Sequence, residues 1–266
     1  MKIIYKITFI ALTAGFVASM QSCSKDDTSP VAAPELKSHG SNIFYGPTIP
    51  IGRGVARAWV QENSDGEPLA VGINLSQKAL EGLPLEPTAY VLQFPDQKGK
   101  YFYKHMLVDW NPQGHEPPGI YDVPHFDFHF YTITNEERLA IGPPGAPGFD
   151  NLPGPQYVPA GYFRIPGGVP QMGTHWADAA SPEFNGFGFT KTFILGSWDG
   201  WFIFSEPMIT RAYMLSHPDA MTSIPQPEAF QKDGWYPTDY RVQFSTSPNQ
   251  YTVALLNLEF HEGEQE

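Results

Sequence analysis

The sequence predicts an all-β fold: a single-domain β sandwich or barrel-like structure with a few short helices and long Pro/Gly-rich loops. Three observations point there. Ten short runs rich in β-branched and aromatic residues recur along the chain, broken by proline and glycine. Helical signals are few and short. No repeat with a period of about 20 to 50 residues is visible, which weighs against propellers and solenoids.

Of 266 residues, 27 are proline and 25 glycine, a content that elsewhere signals disorder. The 41% apolar and 14% aromatic content is too high for a disordered chain and implies a folded, loop-rich body.

The candidate strands, in order, are Val55 to Gln61, Leu69 to Leu75, Thr88 to Phe94, Tyr101 to Trp110 and His125 to Ile133, then Tyr157 to Ile165, Thr190 to Leu195, Trp201 to Phe204, Tyr240 to Ser245 and Tyr251 to Phe260. Asp199-Gly200 between two apolar runs is a hairpin signal, and Ser247-Pro248-Asn249-Gln250 joins the last two strands in the same way. Short helices are expected at Ser76 to Leu83, with Ser76 as cap, at Asn135 to Ile141, with Asn135 as cap and Glu137 in the first turn, and at Pro207 to Ser216. The stretch from Gly142 to Pro170 has no collagen register and reads as a stiff excursion over the surface or across a site mouth.

Upstream of these elements the chain reads as an address. Lys2 and Lys6 precede an apolar run from Ile7 to Met20, too short for a permanent span and expected to be a signal peptide over residues 1–22. Met20-Gln21-Ser22-Cys23 resembles the lipobox of Bacteroidota-type lipoproteins, and Ser24-Lys25-Asp26-Asp27 resembles their export tag for the outer face of the outer membrane. The resemblance implies lipidation of Cys23 and a flexible tether over residues 23–41, with residues 42–266 forming one β-rich domain. The expected location is the outer membrane, at the cell surface, with the periplasmic face or secretion as alternatives.

There are 16 basic against 28 acidic side chains, and the net charge of −12 becomes −14 once Lys2 and Lys6 leave with the signal. Such a balance repels phosphate backbones, so nucleic acid is not an expected partner. With Cys23 as its only cysteine, the chain has no intramolecular disulfide and no thiolate zinc knuckle, so a metal would need histidine and carboxylate.

Histidine supplies the unusual local chemistry. In Pro124-His125-Phe126-Asp127-Phe128-His129-Phe130-Tyr131, strand alternation sends His125, Asp127 and His129 to one face and the phenylalanines to the other. If both faces are buried, the titratable groups need partners that a bound metal would supply. The Cα atoms of His125 and His129 are roughly 13 Å apart on a regular strand, so either histidine pairs more easily with Asp127 than with the other. His175, in a glycine-flanked loop, and Glu206, at the end of the apolar run Trp201 to Phe204, are the natural further ligands, with His115 next. Asp127 or Glu206 could instead hold a histidine ring through its second nitrogen.

The segments Pro124 to Tyr131, Val169 to Trp176 and Phe204 to Thr210 together resemble an uncharacterised family of secreted bacterial β-rich proteins, a domain of unknown function with a Thermus representative. The resemblance spans roughly Tyr101 to Leu215 and implies a β-rich, oligomeric domain without an established activity. Three histidines and a glutamate are also similar in composition to cupin sites, but the cupin His-x-His pair is absent.

The expected function is that of a cell-surface or periplasmic lipoprotein with a metal site formed by His125, His129, His175 and Glu206, with Asp127 and His115 as extra members. Its cofactor would be one divalent metal, zinc favoured over manganese or iron(II). The alternatives are a metal-dependent hydrolase or lyase, and a metal-free glycan-binding or assembly protein using loop aromatics such as Trp198 and Trp201. Expected partners are the membrane through the lipid anchor, a second copy of the chain, and a glycan or small molecule. No Gly-x-Ser-x-Gly elbow, Walker loop, dinucleotide fingerprint or His-Glu-x-x-His helix is present, which leaves serine-hydrolase and nucleotide chemistry without support.

Overall fold

The computed structural model describes residues 41–95 and 100–264, so the signal, Cys23 and nearly all of the expected tether lie outside the described residues. Along the chain run β1 (Asn42–Tyr45), β2 (Ile49–Ile51), β3 (Gly54–Glu62), β4 (Pro68–Ser76), β5 (Thr88–Gln93), β6 (His105–Asn111) and β7 (His125–Tyr131). After helix α1 (Asn135–Leu139) come β8 (Tyr162–Arg164), β9 (Thr174–Asp178), β10 (Lys191–Trp198) and β11 (Trp201–Thr210). Helix α2 (Arg211–Leu215) then leads to β12 (Asp219–Ser223), β13 (Gly234–Thr246) and β14 (Asn249–His261).

These strands build two seven-stranded antiparallel sheets. The first has the order β1-β3-β4-β14-β13-β12, with β2 on β3, and the second β5-β6-β7-β11-β10-β9-β8. Their inner faces share one core, to which β3, β4, β13 and β14 contribute Val60, Ile73, Val242 and Leu255, and β6, β7 and β11 contribute Val108, Phe126, Phe128, Phe130 and Ile209. The expected all-β sandwich is what forms.

The second sheet is buried on its outer face too. Ile141 and Phe149 pack on Leu107, Tyr131 and Phe204, while Tyr121, Phe184 and Phe189 cover Ile194 and Met208. The Pro/Gly-rich stretch supplies much of this third layer. It closes its own backbone in short turns such as Phe149 N–H to Ala146 C=O and Tyr157 N–H to Gly154 C=O, which lets irregular chain lie over an apolar face.

Several local expectations are corrected. Pro207 lies inside β11 opposite Phe193 rather than opening a helix. The helix is only Arg211–Leu215, and Thr210 caps it by accepting from the Tyr213 N–H. Thr134, not Asn135, caps α1, in a reciprocal box with Glu137. Ser76 does not cap the 3-10 turn Gln77–Leu80; its hydroxyl accepts from the Val55 N–H instead. Tyr157 belongs to a 3-10 turn ahead of the much shorter β8. The Asp199-Gly200 hairpin forms as expected, both residues with positive φ (50° and 85°), as a two-residue turn between strongly twisted strands requires.

Candidate metal centre

β7 is the axis of the site, and it is buried along its whole length. Phe126, Phe128 and Phe130 enter the inter-sheet core, so His125, Asp127 and His129 face outward beneath the third layer, 0%, 4% and 1% exposed. Both faces are therefore closed to water, the condition under which these groups need partners.

Neighbouring strands complete the face. β6 sets Asn111 opposite His125 and Asp109 opposite Asp127. On the other side, the register of β11, with Ser205 opposite Phe130 and Met208 opposite Asp127, brings Glu206 beside His129. Glu206 is thus in mid-strand rather than at a strand end. His175 is on β9 rather than in a loop, opposite Gly196, whose missing side chain leaves room for Phe204. His115 comes from the loop that follows β6.

The six side chains gather in two groups of three, not around one point. His115, His125 and Asp127 form the first and His129, His175 and Glu206 the second, with the candidate ligand atoms of each group all within 4.8 Å of one another. In the first, His125 Nε2 is 3.1 Å from Asp127 Oδ1 and His115 Nε2 is 3.3 Å from Asp127 Oδ2. In the second, His129 Nε2 and His175 Nε2 are 3.4 and 3.8 Å from the two oxygens of Glu206.

The other ring nitrogen is held from outside. Nδ1 of His125 meets the Val123 carbonyl at 2.7 Å, and Nδ1 of His115 meets that of Glu116 at 2.7 Å. A carbonyl only accepts, so Nδ1 of each ring carries a proton and Nε2 is the atom turned to the group. Nδ1 of His129 is 3.3 Å from Asp109 Oδ2, the carboxylate-behind-histidine arrangement that orients metal ligands. Asn111 donates to Asp127 Oδ2 at 2.7 Å. Asp109 and Asn111 were not singled out from the sequence; the alternation of polar residues in His105–Asn111 was the available signal.

The pairing is incomplete. His125 Nε2, Asp127 Oδ1, His129 Nε2 and Glu206 Oε2 are buried and make no hydrogen bond. His129 Nδ1 and Asp109 Oδ2, 3.3 Å apart, are likewise buried without a hydrogen bond, and the unpaired atoms within each group form a donor set that fits cations.

Electrostatics follow from the crowding. Burial pushes Glu206 up to about 8, His129 opposing and Asp127 adding to the rise. Burial works against the charged forms of His115 and His129, yet Asp127 beside the first, and Glu206 with Asp109 beside the second, hold both up to about 9. His175 is lowered to about 3 by burial and by His129. Asp127 is held well below the ordinary carboxylate range by His115 and His125 in spite of its burial.

His105 shares the face but stacks on Tyr131 at 4.8 Å and joins neither group. The loop aromatics are engaged in packing: Trp198 lies edge-on to Phe149 at 4.8 Å, and Lys232 sits 4.7 Å over Trp201.

A family model described as "TTHB210-like: Hypothetical protein TTHB210" matches residues 63–110. The matched segment begins just after β3 and runs through β4 and β5 and most of β6. It includes Asp109 but ends before His115, and it overlaps the region where the motif resemblance was expected only over residues 101–110. No curated protein and no solved structure matches the chain.

Proposed function

We propose that this protein binds divalent transition metal on the outer face of its second sheet, with zinc favoured. The observation that carries the reading is the pair of three-residue groups, each with a buried histidine nitrogen and a buried carboxylate oxygen that make no hydrogen bond. Two imidazoles to each carboxylate is a nitrogen-rich set that suits zinc better than manganese or magnesium. His129, His175 and Glu206 form the more deeply buried holder, with Asp109 orienting His129.

A second reading, hydrolase or lyase, is favoured by one feature. Each group offers two histidines and one carboxylate, the three-ligand composition that leaves a coordination position for water or substrate. A bound ion there would supply a Lewis acid and lower the pKa of its water to about 7. Asp109 would fix the His129 tautomer, Asn111 would steady Asp127, and the aromatic cover would exclude bulk water.

Elemental analysis of the purified full chain, before and after reconstitution with zinc, tests the reading. Metal at or above one equivalent, reduced in His129→Ala, is the expected result; no retained metal after reconstitution overturns it.

We further propose that the protein is a surface lipoprotein held by acylated Cys23. The support lies in the sequence: Lys2 and Lys6, the apolar run, and the lipobox-like residues before the cysteine. A fatty-acid probe should label the wild type in cells and not Cys23→Ala; equal labelling refutes the anchor.

A further inference from the structure

We infer that this face holds two divalent ions at separate sites, a retained one at His129, His175 and Glu206 and an exchangeable one at His115, His125 and Asp127. The inference rests on the metal-binding reading above and adds a second ion and a difference between the two.

One ion cannot use all six side chains. Zinc bonds of about 2.0 to 2.2 Å confine its ligand atoms to roughly 4.4 Å of one another. His125 and His129 leave the same strand in parallel, with Cα atoms roughly 13 Å apart, so their rings do not meet over one point. Among the described residues, the two groups share no member.

Each group also shows the need for a cation independently. His125 Nε2 and Asp127 Oδ1 are buried and unbonded in the first, and His129 Nε2 and Glu206 Oε2 in the second. A single ion in either group would leave the other pair of atoms desolvated and unpaired. The nearest members of the two groups, Asp127 and His129, are one i, i+2 step apart on β7, roughly 6 to 7 Å between Cα atoms, and no carboxylate belongs to both groups, as it does in carboxylate-bridged metal pairs. They are therefore neighbours with separate ligand sets.

Their surroundings differ. The His115 side chain is 40% exposed, on a loop at the edge of the site, whereas those of the second group are 14% exposed or less. Loss of the first ion requires one exposed ring to swing away, while loss of the second requires the third layer to open. The exchangeable ion is the one a competing chelator or an incoming ligand meets first.

Zinc titration of the chelator-stripped full chain tests this. Saturation at two equivalents is expected, with brief chelation of the loaded protein removing one. His115→Ala, at a position whose loss leaves the core intact, should bind one equivalent and lose its chelator-sensitive fraction. Asp127→Asn should do the same, and His175→Ala should keep one ion, now wholly chelator-sensitive. In wild type, saturation at one equivalent overturns the inference while leaving the metal-binding reading intact. Two retained ions in His115→Ala also overturn it, and no ion at all overturns both.

Discussion

Glu206→Gln separates the metal's contribution to stability from that of the buried carboxyl. Burial holds Glu206 up to about 8, so without metal at pH 7 it is mostly protonated, and the amide is close to isosteric with that form. The metal-free melting temperature should change little below pH 4.5, where the carboxyl is protonated in the folded and the unfolded chain alike, and should be higher in the variant at pH 7. The sign of the pH dependence follows from the folded value lying above the ordinary one of 4.5: the wild type loses stability as pH rises from there through about 8. The glutamine variant lacks this loss, so the metal-free variant should be the more stable protein at pH 9. With metal the order reverses. An ion present at a hundredfold excess over its Kd adds about 2.7 kcal/mol. In a body of this size 1 kcal/mol moves the melting temperature by about 2–4 °C, so each ion is worth about 5–11 °C. The wild type should gain two such increments on zinc saturation and the variant one. Thermal unfolding followed by near-ultraviolet circular dichroism, in chelator and in saturating zinc at pH 7 and 9, reads all four states. An identical zinc-induced rise in both proteins would refute the placement of Glu206 at an ion.

Further expectations bear on protons and packing. His115 and His129 are held up to about 9 and Glu206 up to about 8, so at pH 7 loading must expel their protons; calorimetry in buffers of different ionisation enthalpy should show about three released per chain, with affinity falling as pH falls. Without metal, the raised histidine values contribute stability that is present below 6.5 and lost as pH rises through about 9, so a metal-free melting temperature that climbs over this window would contradict them. In Gly196→Ala the new methyl would come within 1.9 Å of the Phe204 ring, which contacts His129 and His175 at 4.9 and 5.3 Å. It should cost about 1 to 3 kcal/mol and weaken zinc at the buried site, and unchanged affinity would argue against that coupling. Phe128→Ala, in the inter-sheet core, should cost about 3 to 5 kcal/mol in denaturant unfolding and leave zinc stoichiometry unchanged, because it points away from the site.

What was legible in the sequence was what strand periodicity alone encodes. Phe126, Phe128 and Phe130 alternate with His125, Asp127 and His129, and the period of two assigns the faces without knowledge of any partner strand. His175 was harder. Gly173 and the proline-rich approach signal a loop, and Thr174–Asp178 becomes a strand only because β10 lies alongside with Gly196 opposite the histidine. Pro207 misleads in the same way, since local propensity reads it as a helix start while pairing on both sides holds β11 extended. Asp109 and Asn111 needed the β6–β7 register, which no local pattern contains. The division into two groups was foreshadowed by the spacing of His125 and His129, but which partners join each is set by strand order.

The outer face of the second sheet is hard to explain as packing. Its neighbours on the same face, Leu107, Tyr131, Ile194, Phe204 and Met208, form ordinary apolar contacts with the third layer. In a layer built to stabilise, the positions of His125, Asp127, His129 and Glu206 would suit the same residue types. Buried ionisable groups are generally no more stabilising than well-packed apolar side chains of equal volume, and unpaired ones are costly. In the first group both imidazole Nδ1 atoms and the carboxylate are engaged from behind, in the second His129 Nδ1 faces the Asp109 carboxylate at 3.3 Å, and in each group unpaired atoms of a histidine and a carboxylate face one another. Random burial of polar side chains would leave unpaired atoms pointing in unrelated directions. Convergence of the free atoms with support of the bound ones matches the requirement of a cation and not that of a hydrophobic layer, so the metal reading explains a cost that the fold alone leaves without a return.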